Sequence, residues 1–310
     1  MLSICIPIYN FEVTELVKSL HDEAETLHIQ YEILLSDDAS KEEFRKENSL
    51  LSSLSNVSYF QSEINLERAG NRNFLFKKAK YPYILFMDCD SKVSKKDYIR
   101  DFLPYCVPDS ICSGGRIYDT AKPMDKKLIL HWKVGHSRES HLAEARKRKP
   151  NNSFMSCNFL IDKNLFNIVQ FDERLTGYCN EDTLFGIELK KKGITIAHID
   201  NPLYHLGLEK AEVYLSKVEE GLRNYRKINF LYNNDPLFIN SVKILRVEKK
   251  IKKLHIVKCF KSLFLVTKKM MYKNLTGNNP CLMVYDLYKL GYLCYNAEFD
   301  YELKVNITNR

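Results

Sequence analysis

Short apolar runs alternate with segments of helical periodicity through the first 90 residues, and this alternation constrains the fold more than any other feature. Four runs have the length of a strand, and they cover residues 3–8, 31–35, 57–60 and 84–87. Three segments with apolar side chains at three- and four-residue steps lie between them, at 13–27, 41–54 and 66–78. Such alternation predicts an α/β fold with a Rossmann-like, mostly parallel central sheet flanked by helices.

The fourth run ends at two carboxylates, Asp88 and Asp90, with Cys89 between them. Residues 84–87 contain no polar side chain, as expected of a strand buried on both faces of a parallel sheet. Ligands of open α/β sheets collect at the carboxyl ends of the strands. Two carboxylates at such an end, beside a phosphate-bearing substrate, predict a site for Mg²⁺ or Mn²⁺.

The later part of the chain continues the alternation less regularly. Strands are predicted at 110–118, with an interruption at Gly114-Gly115, and at 154–161 and 194–199. Helices are predicted at 162–168, 183–192 and about 210–232. The polar, basic segment 119–152 is interpreted as a mobile substrate loop with some helix.

Composition supports a globular chain. Of the 310 residues, 45% are hydrophobic and 28% charged, as in ordinary globular proteins that do not span a membrane. The sequence starts directly in a strand-like run, so no signal peptide is expected. The nine cysteines include no Cys-x-x-Cys pair, which favours reduced thiols in a cytoplasmic protein over disulfides or zinc.

The positive charge of the chain lies almost entirely in its last quarter. Residues 241–310 contain 14 Lys and Arg against 5 Asp and Glu, a balance of +9, whereas the whole chain carries +8. Residues 242–271 have apolar side chains at helical steps with lysines between them. Two interpretations stay open: residues 241–273 bind an anionic membrane surface, or the apolar stripe packs on the rest of the protein and the lysines face water. No motif supports nucleic acid as a partner.

Five motifs in order resemble the family 2 glycosyltransferases of the GT-A fold. They are Pro7-x-Tyr9-Asn10, Asp37-Asp38-x-Ser40, Arg72-Asn73, Asp88-x-Asp90 and Gly177-Tyr178 with Glu181-Asp182. The last of these, with its helix and a later histidine, also resembles the C-terminal part of galactosyltransferase-type enzymes. The resemblance covers roughly residues 2 to 210.

This resemblance implies an inverting, metal-dependent hexosyltransferase. Such an enzyme moves a sugar from a UDP-linked donor to a glycan or lipid-linked glycan acceptor in surface polysaccharide synthesis. It implies a catalytic domain at 1–235, with a nucleotide-sugar half at 1–110 and an acceptor half at 111–235. Residues 236–310 then form a basic helical extension, and the protein is cytoplasmic or peripheral on the inner face of the membrane.

The resemblance also assigns roles to single residues. Asp182 is expected to be the general base, and Glu181 to bind an acceptor hydroxyl. The metal ligands are Asp88, Asp90 and His205, with Mn²⁺ or Mg²⁺ as cofactor, and imidazole suits Mn²⁺ better. The nucleotide-sugar is expected to contact Pro7, Tyr9, Asn10, Asp37, Asp38, Arg72, Asp88 and Cys89. Asn158 and Trp132 are further candidates for sugar contacts.

One position departs from the family pattern. The family often has glycine in the third place of the Asp37-Asp38 motif, where this chain has Ala39. Alanine fits there if its φ is negative, so a slightly different turn is expected. Two alternative functions stay open at this point: a nucleotidylyltransferase that makes nucleotide sugars, and a non-catalytic module that binds a sugar nucleotide or a membrane.

Overall fold

The structure is a computed structural model that describes residues 1–178 and 180–296. These residues form two compact units. The first contains residues 1–119, 138–176 and 181–207, and the second contains 120–137, 177–180 and the chain from 208 onward. The predicted functional boundaries at 110 and 235 stay predictions, and residues 297–310 of the predicted extension lie outside the described residues.

The first unit contains ten strands among the described residues. In chain order they are β1 Leu2–Ile8, β2 Tyr31–Asp38, β3 Val57–Ser62, β4 Tyr83–Met87, β5 Ser91–Val93, β6 Ile111–Ser113, β7 Arg116–Ile117, β8 Asn158–Asp162, β9 Ala197–His198 and β10 Leu203–His205. Seven of them form the main sheet, in the order β3-β2-β1-β4-β8-β6-β9. The remaining three form a small sheet in the order β5-β10-β7.

The main sheet is mostly parallel, as predicted. β1 pairs in parallel with β2 and β4, and β2 pairs in parallel with β3. β8 is the exception, because it runs antiparallel to both β4 and β6. The register places Ile8 of β1 opposite Asp37 of β2, so the polar residues that follow both strands meet at one edge of the sheet.

Both faces of the sheet are covered by apolar side chains. Successive residues of β1 point to opposite faces: Ile4 and Ile6 belong to one buried cluster, and Cys5 belongs to another. Residues 84–87 of β4 are fully buried. A strand buried on both faces needs a continuous apolar run, which explains the pattern that ends at Asp88.

Helices occupy much of the remaining described chain. In order they are α1 Thr14–Thr26, α2 Glu42–Ser49, α3 Glu67–Lys78, α4 Ile129–Val134, α5 Ala143–Lys147, α6 Lys163–Ile168, α7 Glu181–Lys191, α8 Ala211–Leu231, α9 Pro236–Ser241, α10 Lys243–Lys253, α11 Val257–Leu275 and α12 Leu282–Tyr295. α4 and α8–α12 belong to the second unit, and the others to the first. None of the described helices is both long enough and apolar enough to cross a membrane.

The segment 119–152, which was predicted to be a mobile substrate loop with some helix, is helical over much of its length. It contains α4, a π-helical turn at Gly135–Glu139 and α5. Arg146, which lies in this basic segment, is buried and donates hydrogen bonds to the carbonyl oxygens of Ser113, Gly114 and Ile199. A guanidinium that satisfies buried carbonyls is structural, and the charge pattern alone could not show this.

The predicted amphipathic helix 242–271 is broken in two. α10 ends at Lys253, and α11 begins at Val257 after His255, which has a φ of 56°. Much of the predicted apolar stripe packs within the second unit, where Ile251 and Phe264 are buried, although Leu254 is exposed. A buried ion pair between Arg226 and Glu248 also joins α8 to α10.

Candidate active site

The site is built at the carboxyl end of β4, in the first unit. Asp88 follows the buried strand directly, and its backbone N–H donates to the Cys157 carbonyl over 3.1 Å. The small sheet continues from there, because β5 starts at Ser91 and pairs with β10, which ends at His205. β7 lies on the other side of β10 and supplies Arg116. This topology brings residues far apart in sequence to one place.

Asp88 is held by two arginines. Arg72 Nη2 of α3 lies 2.6 Å from Oδ1, and Arg116 Nη2 of β7 lies 2.8 Å from Oδ2. Arg72 is buried, and the carboxylate is a quarter exposed. Both oxygens of Asp88 are therefore engaged in charge-assisted hydrogen bonds that fix the carboxylate in one orientation.

Asp90 lies beside His205. The distance from His205 Nδ1 to Asp90 Oδ1 is 3.4 Å, and the Leu206 backbone N–H donates to the Asp90 carbonyl over 2.8 Å. Asp90 Oδ1 is buried and accepts no hydrogen bond from any described residue. Burial acts to raise the pKa of Asp90, but His205, Arg116 and Arg68 outweigh it and hold that pKa below its ordinary value.

This pair fits a divalent cation. An ionised carboxylate oxygen without a hydrogen bond faces an imidazole, and both are ligand types that Mn²⁺ accepts. Gly207 keeps the space open, because a Cβ there would lie 2.4 Å from Asp90 Oδ2. No group of three or more His, Cys, Asp and Glu side chains is arranged as a metal site among the described residues. A cation here would therefore need further ligands from water or substrate.

Glu181 and Asp182 begin α7, where the positive end of the helix dipole favours carboxylates. Glu181 is buried, and its Oε1 lies 3.9 Å from Nη1 of both Arg72 and Arg68. Arg72 therefore connects Asp88 with Glu181. Burial, and then the negative charge of Glu181, raises the pKa of Asp182 to about 7. A carboxyl group that titrates near neutral pH can accept a proton from a hydroxyl.

The predicted nucleotide contacts at the ends of β1 and β2 lie on neighbouring strands. Pro7 is in β1, and Tyr9 beyond it is about half exposed. Asn10 Oδ1 accepts from the Lys41 N–H, and the Asn10 N–H donates to Ser40 Oγ, so the two strand-end loops are tied together.

The two acids at the end of β2 differ in their surroundings. Asp37 is fully buried, accepts from the Ser40 N–H and lies 3.6 Å from Arg45, which gives it a structural role in the turn. Asp38 accepts from the Leu66 N–H. Burial raises the pKa of Asp38 to about 6. Cys89 packs against the apolar core, and burial raises the pKa of its thiol to about 12.

Ala39 corrects the expectation of a negative φ. Its φ is 60°, the left-handed conformation that glycine adopts without steric cost. Alanine therefore takes a backbone conformation at this turn that glycine would adopt freely. The Asp37–Ser40 hydrogen bond across Ala39 helps to hold it there.

Three residues near the two aspartates were not predicted from the sequence: Arg116, Tyr118 and Glu139. Arg116 Nη1 lies 3.5 Å from Glu139 Oε2, and the Tyr118 hydroxyl donates to the same Glu139 oxygen over 2.6 Å. The Tyr118 ring also contacts the His205 ring edge to face, with the ring centres 5.2 Å apart. No sequence signal marks these residues, because only the small sheet brings them to the site.

The two candidate sugar contacts lie elsewhere. Asn158 is fully buried, and its side chain binds the carbonyls of Gly115 and Asn201 and the hydroxyl of Tyr98. Its amide is thus used in holding the strand ends together. Trp132 belongs to the second unit, where its ring contacts His136.

The mostly parallel central sheet flanked by helices is the fold of the GT-A glycosyltransferases. The fold is similar to that of a mannosyltransferase from Pyrobaculum calidifontis, solved with GDP-Man and Mn²⁺, with a TM-score of 0.57, 12% identity and coverage of 96% of this chain and 87% of that one. A structure of S. aureus TarS 1-349 in complex with UDP is more distant, with a TM-score of 0.47, 16% identity and coverage of 98% and 91%.

The chain belongs to glycosyl transferase family 2, whose model matches residues 3–167. A curated relative, chondroitin synthase of Escherichia coli, is 25% identical over 238 residues, which are 66% of this chain and 34% of the relative. The chain thus spans about a third of the length of that relative. Membership of this family sets aside the nucleotidylyltransferase and the non-catalytic module as functions.

Proposed function

We propose that this chain transfers a sugar from a UDP-linked donor to a hydroxyl of a glycan or lipid-linked glycan, with inversion at the anomeric carbon, in surface polysaccharide synthesis. The observation that carries the proposal is the position of Arg72 between Asp88 and Glu181. The buried guanidinium of Arg72 contacts Asp88, which is expected near the leaving diphosphate, and also Glu181, which is expected near the acceptor hydroxyl. A displacement reaction needs these two groups at a fixed separation.

The donor site is proposed at the ends of β1, β2 and β4. Tyr9 offers an exposed ring for the base, and Asp38 offers a carboxylate that can accept an N–H of uracil. Pro7, Asn10 and the backbone at Cys89 line the same edge. Asp37 is proposed to stabilise the turn and not to contact the donor, since its carboxylate accepts a hydrogen bond from the Ser40 N–H and lies beside Arg45.

The cation is proposed to bind at Asp90 and His205. Asp88, also expected as a ligand, would have to share an oxygen with an arginine in order to coordinate the cation. A bound Mn²⁺ or Mg²⁺ supplies neutralisation of the charge that develops on the leaving diphosphate. Arg72 and Arg116 place two further positive charges beside Asp88, where they can bind phosphate oxygens.

The proton of the acceptor hydroxyl is proposed to pass to Asp182. Its raised pKa lets it hold that proton near neutral pH, and the start of α7 favours its ionised form before the reaction. Glu181, held by Arg72 and Arg68, is suited to orient an acceptor hydroxyl. The chondroitin synthase relative supports a polysaccharide as acceptor.

The second unit is proposed to bind the anionic inner face of a membrane, which makes this cytoplasmic protein peripheral. The surface is an exposed stripe on α11, namely Leu263, Val266 and Met270, whose side chains are 58%, 82% and 68% exposed. Lysines of α10 and α11 are also exposed in this unit, at positions 249, 250, 252, 253, 258, 269 and 273. An apolar stripe together with exposed cations suits an anionic headgroup region.

Flotation of the full-length chain with vesicles tests the membrane proposal. Binding is expected on anionic vesicles, weaker on neutral ones and weaker at high salt. The triple substitution Leu263→Ser, Val266→Ser and Met270→Ser should abolish binding to anionic vesicles. The matched control is serine at the equally exposed Leu50, Met124 and Leu142, which should bind like the wild type. Equal binding of both triple variants, or none by the wild type, would contradict the proposal.

A donor screen tests the enzymatic proposal. Purified protein, Mn²⁺ and a panel of UDP- and GDP-sugars are assayed for nucleotide release with and without oligosaccharide acceptors. We expect release from one UDP-sugar, stimulated by acceptor. Asp182→Asn should lower turnover by about 10²-fold or more while UDP still binds. Asp109→Asn, on an exposed residue outside the site, is the matched control.

A further inference from the structure

A series of side-chain contacts connects the two aspartates after β4. Asp88 is bound by Arg116 over 2.8 Å, and Arg116 is 3.5 Å from Glu139. Glu139 accepts from Tyr118, and the Tyr118 ring contacts His205, which lies 3.4 Å from Asp90. This series of contacts thus begins at one aspartate and ends at the other.

The carboxylates of the two aspartates differ in their hydrogen bonding. Both oxygens of Asp88 are occupied by guanidinium groups, whereas Asp90 Oδ1 accepts no hydrogen bond from the described residues. A carboxylate with both oxygens paired is a poor ligand until one partner leaves. Arg72 also contacts Glu181, so its position is fixed by two anions. Arg116 is instead held by Glu139, whose Oε2 lies 3.5 Å from Arg116 Nη1.

We propose that Arg116 is a positioning residue that keeps Asp88 out of the coordination of the cation in the donor-free enzyme, and that Glu139 and Tyr118 hold Arg116 in place. This inference rests on the proposed function, because it concerns the same cation. It assigns the cation to Asp90 and His205 and gives Asp88 a separate task. A diphosphate could draw Arg116 away from Asp88, since phosphate oxygens are equally good partners for a guanidinium.

One substitution near the cation is expected to increase the affinity for Mn²⁺ and not to decrease it. Removing Arg116 frees an oxygen of Asp88 and removes a positive charge close to the cation. Arg116→Gln should therefore bind Mn²⁺ more tightly than the wild type in the absence of nucleotide, by about 3- to 10-fold from the freed Asp88 oxygen together with the loss of one nearby charge. A purely structural arginine would give the opposite result, because its loss would loosen the site and weaken binding.

Companion variants separate the causes. Arg116→Lys keeps the charge and should bind Mn²⁺ like the wild type. Glu139→Gln and Tyr118→Phe loosen Arg116 and should tighten Mn²⁺ binding by a smaller factor. Asp88→Asn removes the carboxylate that Arg116 withholds, so adding Arg116→Gln to it should give a smaller gain, limited to the effect of the lost charge. Asp90→Asn should lose Mn²⁺ binding outright.

The experiment is a titration of Mn²⁺ into full-length protein, followed by the electron paramagnetic resonance signal of free Mn²⁺, with thermal unfolding of each variant as a check on folding. Tighter binding by Arg116→Gln that depends on Asp88 supports the proposal. Unchanged or weaker binding, the same gain in the Asp88→Asn background, or no binding by any variant overturns it. If no donor in the screen releases its nucleotide, the proposed function is refuted. The expected tighter binding of Mn²⁺ by Arg116→Gln does not depend on that result.

Discussion

Replacing Gly207 with alanine should displace the proposed cation ligands while leaving the fold intact. A Cβ built at Gly207 lies 2.4 Å from Asp90 Oδ2 and 3.1 Å from His205 Cε1. The backbone itself accepts alanine, because positive φ among the described glycines is confined to Gly115, Gly177 and Gly193. The strain of the substitution therefore falls on the two side chains.

The size of the displacement follows from the contact distance. Ordinary van der Waals contact with a Cβ begins at 3.4 Å, so the Asp90 carboxylate must retreat by about 1 Å. A misplacement of this size in a catalytic group can cost about 10²-fold in rate. Moving a metal ligand or its support typically costs about 10- to 100-fold in metal affinity. We expect both effects in Gly207→Ala.

Isothermal titration of UDP, with and without Mn²⁺, measures the consequence. The wild type should bind UDP more tightly with Mn²⁺, and Gly207→Ala should lose most of this difference. Gly193→Ala is the control, since its Cβ would meet nothing within 4 Å but its φ is 77°. That variant should lose about 1 kcal/mol of stability and keep its Mn²⁺ dependence. Normal Mn²⁺-dependent binding in Gly207→Ala would refute the placement of the cation at Asp90.

Two further predictions concern a proton and a backbone turn. Asp182 accepts a proton only when ionised, and its pKa is raised to about 7, so kcat/KM should fall about tenfold per unit as the pH drops below that value. A rate that stays flat down to pH 5 in the wild type would exclude Asp182 as the base. Ala39→Gly should stabilise the chain by about 0.5–1 kcal/mol, because the strain at a φ of 60° exceeds the entropic cost of glycine. Thermal unfolding should show a rise of about 1–3 °C, and an unchanged or lower midpoint would mean that the surrounding hydrogen bonds remove the strain.

The centre of the main sheet could be predicted because β1, β2 and β4 are buried on both faces. Such strands need a largely apolar run, and residues 84–87 are the clearest example. The motifs at the ends of β1, β2 and β4 were found for the same reason, since polar residues that directly follow such a run are conspicuous. The sequence contains no comparable signal for the antiparallel direction of β8, because strand direction is set by the connections and not by the side chains.

The small sheet and its contribution to the site could not be predicted. β10 has only three residues and forms no recognisable pattern. The predicted strand 110–118 is divided at Gly114-Gly115 into β6 of the main sheet and β7 of the small one, and the sequence did not show that its second part belongs to another sheet. Arg116 and Glu139 reach the aspartates only through these strands and the turn at 135–139. The burial of Arg146 within the basic segment 119–152 could not be predicted for a different reason. Its guanidinium donates hydrogen bonds to backbone carbonyl groups, which a charge count does not reveal.

The C-terminal helices show how periodicity alone fails. The pattern across 242–271 satisfies one long helix, but His255 adopts a left-handed conformation and divides it. On α11, Phe264 of the predicted stripe is buried, whereas Leu263 and Val266 on another face of the same helix are exposed. The exposed apolar stripe is therefore a different set of residues from the one the sequence pattern selected.

The stereochemistry of the product tests the central claim most directly. The full-length enzyme, Mn²⁺, a UDP-α-linked sugar chosen by the donor screen and an oligosaccharide acceptor are followed by proton NMR of the anomeric signals. A single displacement, with Asp182 taking the proton of the acceptor, predicts a β-linked product from the first turnover, and Asp182→Asn should form it at least about 10²-fold more slowly. An α-linked product, or equal rates for the two proteins, would contradict the account.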